Sequence, residues 1–454
     1  MRFKSLSKTD GVLFLISGIC ALEFLYAPQI PAWNTAGVFP SIPIGVRFSV
    51  GEALVGTFVV IVGGYVFGGR AFRSGRIHIA PFGYKALTGL FLLSVVLSLG
   101  VGIVLRAPGL VTEVREFIIP GLLFFIFVNL TFEYSTEYKI VRMFYWTGIA
   151  SLLLGVVVFF APSSIPGNMF TLSEGGFWVA LYAGVFSAVW AATRLLWNGF
   201  TWENSFIVLG ALGVFLLWIG NKPIIFTFFV SVGALTLTAL LSKESSIVSR
   251  ARNLVIALPS ILVFAFYVIP ASAKNALVKT FAWRYLKIQD VSSLQELQTN
   301  FASAEQKQDL SAGRFDIWGS YFQDAVSGLG LAPDGLGGAA NVYTPLHGYR
   351  PGFPAHNTVA YLSYHAGYVA AIAYVLIVGF FLYQGFRYLP RQRWQNGVFE
   401  KADLVALFSF VVGIIAVGLV GGPLKDFRLA WFFWFSVAVL IRRWSTLTGE
   451  RQKA

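Results

Sequence analysis

The residues best equipped for chemistry fall between Lys222 and Asn357. Arg314 and Trp318 stand four apart in Gly313-Arg314-Phe315-Asp316-Ile317-Trp318, a spacing that puts both on one side of a helix. His356 and Asn357 come directly before an apolar run. Histidine suits proton transfer near neutral pH, and asparagine is a good helix N-cap. A lone histidine at a helix start also has a purely structural reading. Its company shifts the balance: Arg284, Arg314, His347 and Arg350 share the same polar stretch, and clustered arginines are the usual device for gripping a diphosphate. Lys222 sits in the turn Gly220-Asn221-Lys222-Pro223, which has almost no other polar content. The glycine-dense run 328–338 permits left-handed turns and close backbone approach to a ligand. It belongs to no βαβ unit, so it is not a dinucleotide fingerprint.

Metal chemistry finds no footing in the sequence. His365 lies nine residues beyond His356, opposite in helical phase, so the two do not share a metal. No His/Asp/Glu spacing resembles a metal motif, and the single Cys20 excludes a disulfide framework and a cysteine-based metal site.

These groups must be positioned by membrane helices. Hydrophobic residues make up 56% of the chain and charged residues 12%, about half the charge of an ordinary soluble domain. Apolar runs recur at about 11–28, 50–68, 86–105, 117–132, 143–161, 176–193, 205–219, 224–241, 254–269, 358–383, 404–420 and 429–441. The expectation is an all-α integral membrane protein with about 12 transmembrane helices and one large extracytoplasmic loop. The first run lacks a small-residue cleavage site and reads as a membrane helix rather than a signal peptide. Three regions follow: 1–270 as membrane domain with spans 1–9, 271–357 as the extracytoplasmic loop with short helices, and 358–454 as membrane domain with spans 10–12 and a cytoplasmic tail.

Charge placement sets the orientation. Of the 34 basic residues, 21 lie on the tails and the loops that share their side, which makes both termini cytoplasmic. The long loop then faces outward, its seven basic and seven acidic residues in balance. The net charge of +13 is therefore a topology signal that also suits anionic lipid, not a nucleic-acid footprint. Glu23, Arg47, Arg106 and Arg115, near the outer ends of spans, read as snorkelling side chains. Within the loop, 273–288 reads as a basic amphipathic helix at the membrane surface or as a helix capping the bundle. Residues 292–310 read as a solvated helix, and 311–325 as a helix carrying Arg314 and Trp318.

The stretch from Asn221 to Tyr383 resembles the O-antigen ligase/polymerase superfamily of bacterial envelope enzymes. The shared features are a basic residue in a tight outer turn (Lys222) and an Arg-x-x-x-Trp helix in a large loop (Arg314, Trp318). Then come a glycine-rich segment (Gly335-Leu336-Gly337) and His356-Asn357 opening a span with Gly367 midway along it. Each motif is short, so the likeness rests on their order and placement over roughly a third of the chain. It implies a GT-C-like architecture and a metal-independent, inverting glycosyl transfer from undecaprenyl diphosphate in the bacterial inner membrane. By the same resemblance Arg314 grips the diphosphate, and His356 acts as base on the acceptor hydroxyl or helps position the donor. Lys222, where relatives usually carry arginine, keeps the charge without the bidentate fork. Arg284, Trp318, Asn357, His347 and Arg350 complete the expected substrate-binding set. No cofactor is required, because the lipid diphosphate is already an activated leaving group.

The expected partners are the lipid-linked glycan, a saccharide acceptor and membrane lipids, with no nucleic acid. The acceptor separates a ligase, which transfers to lipid A–core, from a polymerase, which joins lipid-linked repeat units. A single large outer loop carrying both Arg and His-Asn favours the ligase. A transporter of lipid-linked sugars would instead place charges at mid-membrane and break helices in two matched halves, and a membrane scaffold would need none of these residues. The orientation has a direct test. A cysteine at Ser293 in a Cys20→Ser background is expected to react with membrane-impermeant maleimide in intact spheroplasts. Labelling that requires lysis would put the loop in the cytosol.

Overall fold

The computed structural model describes residues 8–25, 50–65, 85–107, 109–129, 134–160, 176–217, 222–268, 275, 314–327, 335–338, 341–344, 348–351, 357–390, 401–419 and 427–451. Among the described residues the chain is helical apart from one short hairpin. Its helices are α1 (Lys8–Leu25), α2 (Val50–Tyr65), α3 (Lys85–Val104), α4 (Leu110–Glu113), α5 (Ile119–Asn129), α6 (Tyr134–Phe160), α7 (Gly176–Trp197) and α8 (Trp202–Leu217). They continue with α9 (Lys222–Leu240), α10 (Ser245–Val268), α11 (Arg314–Ser327), α12 (Thr358–His365), α13 (Gly367–Tyr388), α14 (Lys401–Gly418) and α15 (Phe427–Arg451). The described part of each expected apolar run lies on helix, the break at Ala366 excepted. Among the described residues six helices are long and apolar enough to cross a bilayer: α3, α6, α7, α9, α13 and α14. Shorter apolar helices lie within α2, α5 and α8. Outward faces keep apolar residues exposed, such as Val60, Ile61, Val96, Leu97, Ile103, Ile372 and Leu376. This is the arrangement of a helical membrane protein, whose outer faces meet lipid rather than water.

Between helices in lipid, close packing replaces the hydrophobic effect as the cohesive force. Small residues permit it here. A Cβ on Gly148 of α6 would strike Ala183 and Ser187 of α7, and one on Gly413 of α14 would strike Thr227 and Ser231 of α9. Aromatic rings fill the larger spaces. Phe144 stacks on Phe432 with centroids 4.1 Å apart, and Trp431 meets Phe127 edge-on at 4.9 Å. The Trp431 indole N–H, which needs a partner once buried, donates to Ser17 Oγ at 3.0 Å.

Ionic contacts fix which helix ends share a side. Glu137, at the start of α6 and 1% exposed, holds both Arg442 and Arg443 of α15 at 2.7 Å. The Arg442 guanidinium also donates to the Phe127 carbonyl at the end of α5, and Arg443 lies 3.6 Å from the Tyr134 ring centroid. Arg194, near the end of α7, pairs with buried Asp403 at the start of α14 at 3.1 Å. These contacts define a tail end of the bundle, where α1 begins and α15 finishes. The other side is the loop end. There Glu23 departs from expectation: it is buried, not snorkelling, and its carbonyl accepts from Arg428 Nη1 at 2.9 Å. Arg106, by contrast, is exposed.

Two further departures concern continuity. The run at 117–132 is not a plain helix. Between α4 and α5 the backbone widens into a π-helical turn over Val114–Ile118. Pro120 supplies the reason, since it has no N–H for the Glu116 carbonyl and its ring would crowd that carbonyl in an ordinary helix. The run at 358–383 is split: α12 stops at His365, Ala366 leaves helical geometry, and α13 restarts at Gly367 with φ +84. Such a φ is open to glycine at no steric cost. Strands β1 (Asn341–Thr344) and β2 (Gly348–Pro351) form an antiparallel hairpin pairing Val342 with Arg350 and Tyr343 with Tyr349. The helices expected over 273–288 and 292–310 lie outside the described residues, residue 275 excepted.

The tail-end clamp predicts a graded cost. Glu137→Ala leaves two shielded guanidinium groups without their carboxylate and should cost about 3–5 kcal/mol. Glu244→Ala, at the exposed end of a 3.5 Å contact with Lys401, should cost about 1 kcal/mol or less. Unfolding in detergent checks both, and equal losses would refute the distinction.

Candidate functional site

At the loop end, α12 begins against the end of α14. Asn357 is the N-cap expected from the sequence: its Oδ1 accepts from the N–H groups of Val359 and Ala360 at 2.8 and 3.0 Å. The same amide donates through Nδ2 to the Leu419 carbonyl at 2.9 Å, and Thr358 Oγ1 donates to the Gly418 carbonyl at 2.9 Å. One side chain thus satisfies orphan groups of two helix termini. Aspartate could cap α12 but, when ionised, has no donor for Leu419.

Lys222 opens α9 beside the same helix end. Gly413 of α14 abuts Thr227 of α9, while the start of α14 meets Glu244, just beyond α9, through Lys401. The two helices are therefore antiparallel. Lys222 precedes Thr227 by five residues and Gly418 follows Gly413 by five, so both lie about 7.5 Å nearer the loop end at roughly 1.5 Å per residue. The starts of α9 and α12 thus flank the C-terminus of α14. Far apart in sequence, Lys222 and Asn357 come to one end of the bundle at similar height.

Arg314 opens α11, with Trp318 four residues on, as the sequence reading expects. Ile317, Tyr321 and Ala325 bury one face of α11 in a second apolar core built with α12, the start of α13 and Val95 of α3, and Trp318 packs at its margin. Tyr321 meets Tyr364 at 5.7 Å, and the Tyr368 hydroxyl donates to the Phe322 carbonyl at 2.6 Å. Arg350 lies on β2, opposite Val342. His356, His347 and Arg284 lie outside the described residues, and for Lys222, Arg314 and Arg350 the description reaches the backbone alone.

The glycine-rich run makes a close backbone approach, and its partner is α3. Gly335 and Gly337 have φ +71 and +87. The Leu336 N–H donates to the Ser98 carbonyl at 2.9 Å, and the Gly109 N–H donates to the Gly337 carbonyl at 3.0 Å. A Cβ on Gly102 would collide with the Leu336 carbonyl, and one on Gly335 with the backbone of Gly102. The segment 335–338 is thereby fastened to the C-terminal end of α3 and the turn that follows it. The Ser98 hydroxyl also donates to the His365 carbonyl at the helix break.

Sequence reasoning missed the residues around that break. Tyr361, one turn into α12, donates its hydroxyl to Glu113 Oε2. Its ring lies 4.3 Å from the ring of buried His365 and 5.8 Å from Phe117 of the π-helical turn. Glu113 had no legible signal beyond its place before Pro120. Tyr361 and His365 had one: polar groups spaced by four along a run that opens with His-Asn. A carboxylate, a phenol and an imidazole thus stand in series beside the start of α12, where two backbone irregularities meet. Such irregularities, π-turns among them, are frequent at functional sites.

No family model, no curated protein and no solved structure matches the chain. The functional reading therefore rests on residues and geometry.

The seam predicts a selective defect. Gly335→Ala puts a side chain both at a left-handed φ and against Gly102. It should loosen the loop, with faster proteolysis within 276–334, while the unfolding midpoint of the bundle moves by less than about 2 kcal/mol equivalent. Unchanged proteolysis would show that the seam does not hold the loop.

Proposed function

We propose that the chain is a membrane glycosyltransferase of the O-antigen ligase/polymerase kind. It moves a glycan from undecaprenyl diphosphate to a saccharide acceptor at the outer face of a bacterial inner membrane. In this reading the alternating helices make twelve crossings in a GT-C-like arrangement with both termini cytoplasmic. The observation that carries the proposal is the meeting of the α9 and α12 starts at the end of α14. It brings the backbone of Lys222 and that of Asn357, the residue after His356, to one end of the bundle, which supports this reading.

The chemistry follows from the residue types. The acceptor oxygen attacks the anomeric carbon, its bond to the diphosphate breaks, and the electron pair leaves on the diphosphate. Arg314 and Lys222 stabilise the growing negative charge, with Arg284 and Arg350 as further cations. His356 takes the acceptor proton or holds the donor, Asn357 fixes the helix start that carries it, and Trp318 and His347 contact sugar. Lipid A–core is the first choice of acceptor and a lipid-linked repeat unit the second.

One observation favours a different reading. A helix interrupted within an apolar run, as at Ala366–Gly367, is the device transporters use at substrate sites. The other irregular run, at 117–132, widens into a π-helical turn without breaking, so the two are not the matched pair of broken helices that such transporters use. Purified protein with lipid-linked glycan and lipid A–core should give a core-linked product. Arg314→Ala and His356→Ala should each lower its rate by about 100- to 10,000-fold. A glycan ladder formed without core would select the polymerase, and full transfer by both variants would remove their assigned roles.

A further inference from the structure

Glu113 is a partly exposed carboxylate at the loop end that none of the roles above uses. It ends α4 and immediately precedes the π-helical turn. Its Oε2 accepts from the Tyr361 hydroxyl. Tyr361 lies four residues beyond Asn357, hence on the same face of α12, one turn along. Side chains on a helix lean back toward its N-terminus. The Tyr361 phenol therefore covers the first turn of α12, the turn that His356 leads into. Whatever holds that hydroxyl stands beside this mouth, and Glu113 holds it.

The surroundings suit a sugar. The Phe117 and Trp318 side chains pack at the margin of the same apolar core and are half-buried. The Phe117 ring lies 5.8 Å from the Tyr361 ring whose hydroxyl the carboxylate accepts, and an aromatic face near a carboxylate matches a saccharide, which offers C–H faces and hydroxyl groups together. Behind Tyr361 the buried His365 ring braces the phenol, and Ser98 braces the His365 carbonyl. The carboxylate is thus presented by a rigid stack.

We propose that Glu113 is the base that takes the proton from the acceptor saccharide's hydroxyl, with Tyr361 as its positioning residue and His356 left to the donor side. This rests on the glycosyl-transfer reading above. The step balances: the acceptor O–H proton passes to the Glu113 carboxylate as the oxygen bonds to the anomeric carbon. The bond from that carbon to the diphosphate oxygen breaks with its electron pair on the diphosphate. A purely architectural Glu113 is the competing account, because a carboxylate near the start of α12 is also favoured by the helix dipole.

Glutamine separates the two. Glu113→Gln keeps an oxygen to accept from Tyr361 but gives up the basicity. Reconstituted full-length protein with lipid-linked glycan and a soluble core oligosaccharide should then show kcat lowered by about 100- to 10,000-fold. The donor KM should stay within about threefold, because only a step made in the transition state is lost, and the unfolding midpoint should not change. Glu113→Ala should regain part of its turnover in added formate, which supplies a diffusible carboxylate, whereas His356→Ala should not. Tyr361→Phe, which removes the phenol's hydrogen bond to the carboxylate, should lose kcat by up to about 100-fold. Wild-type turnover in Glu113→Gln, or absence of formate rescue in a folded Glu113→Ala, overturns this assignment alone. A wild-type protein that transfers no glycan overturns the transferase reading and this assignment with it.

Discussion

The constraint on which this structure depends is that a backbone group at membrane depth has no water to turn to. The break at Ala366–Gly367 frees carbonyl and N–H groups that an unbroken helix would pair. The chain answers from within. The Ser98 hydroxyl donates to the His365 carbonyl, while the Ala366 N–H keeps its ordinary helical bond to the Leu362 carbonyl at 2.9 Å. Ser98 can do so because α3 runs alongside the break, and α3 is held there in turn by the loop, through Leu336 at Ser98 and through Gly337 at Gly109 just past the helix. The interrupted helix, its neighbour and the anchor of the long loop form one mutually dependent unit.

The two ends of the bundle are built on different principles. The tail end is tied by ion pairs between long regular helices, in which Glu137 and Asp403 hold arginines from distant parts of the chain. The loop end is tied by backbone contacts, glycines and single hydroxyl groups, and irregular geometry collects there. The π-helical turn, the helix break, the left-handed Gly335 and Gly337, and Arg106 with φ +50 all lie at that end. A fold that keeps one end regular can tolerate strain at the other, where it is useful for aiming side chains. The two apolar cores follow the same division. The larger binds the main bundle, and the smaller joins α3, α11, α12 and the start of α13.

Asn357 shows how a motif residue can carry architecture and site together. Its amide caps α12 and closes α14 with one side chain. The position of Asn357 is therefore set by α14 as much as by α12. Lys222 depends on the same helix end through the packing of α9 on α14 at Gly413. The site proposed here is thus organised around a helix that contributes no catalytic side chain to it.

The sequence by itself determined the membrane class, the positions of the helices, the cap at Asn357 and the helix carrying Arg314 and Trp318. Those properties are local: apolar runs, capping preference and helical spacing act within a few residues. The break at Gly367 and the widening before Pro120 were written in single residues, yet a long apolar run masks both, because hydropathy does not register backbone geometry. Only the tertiary structure decided that Gly335 closes on α3 and Gly337 on the turn after it, that Glu23 is buried, and that Lys222 and Asn357 come to the same end of the bundle. It alone joined Glu113 to Tyr361. These are contacts between elements remote in the chain, fixed by which helices pack together, and no spacing along the sequence encodes a distance across a bundle.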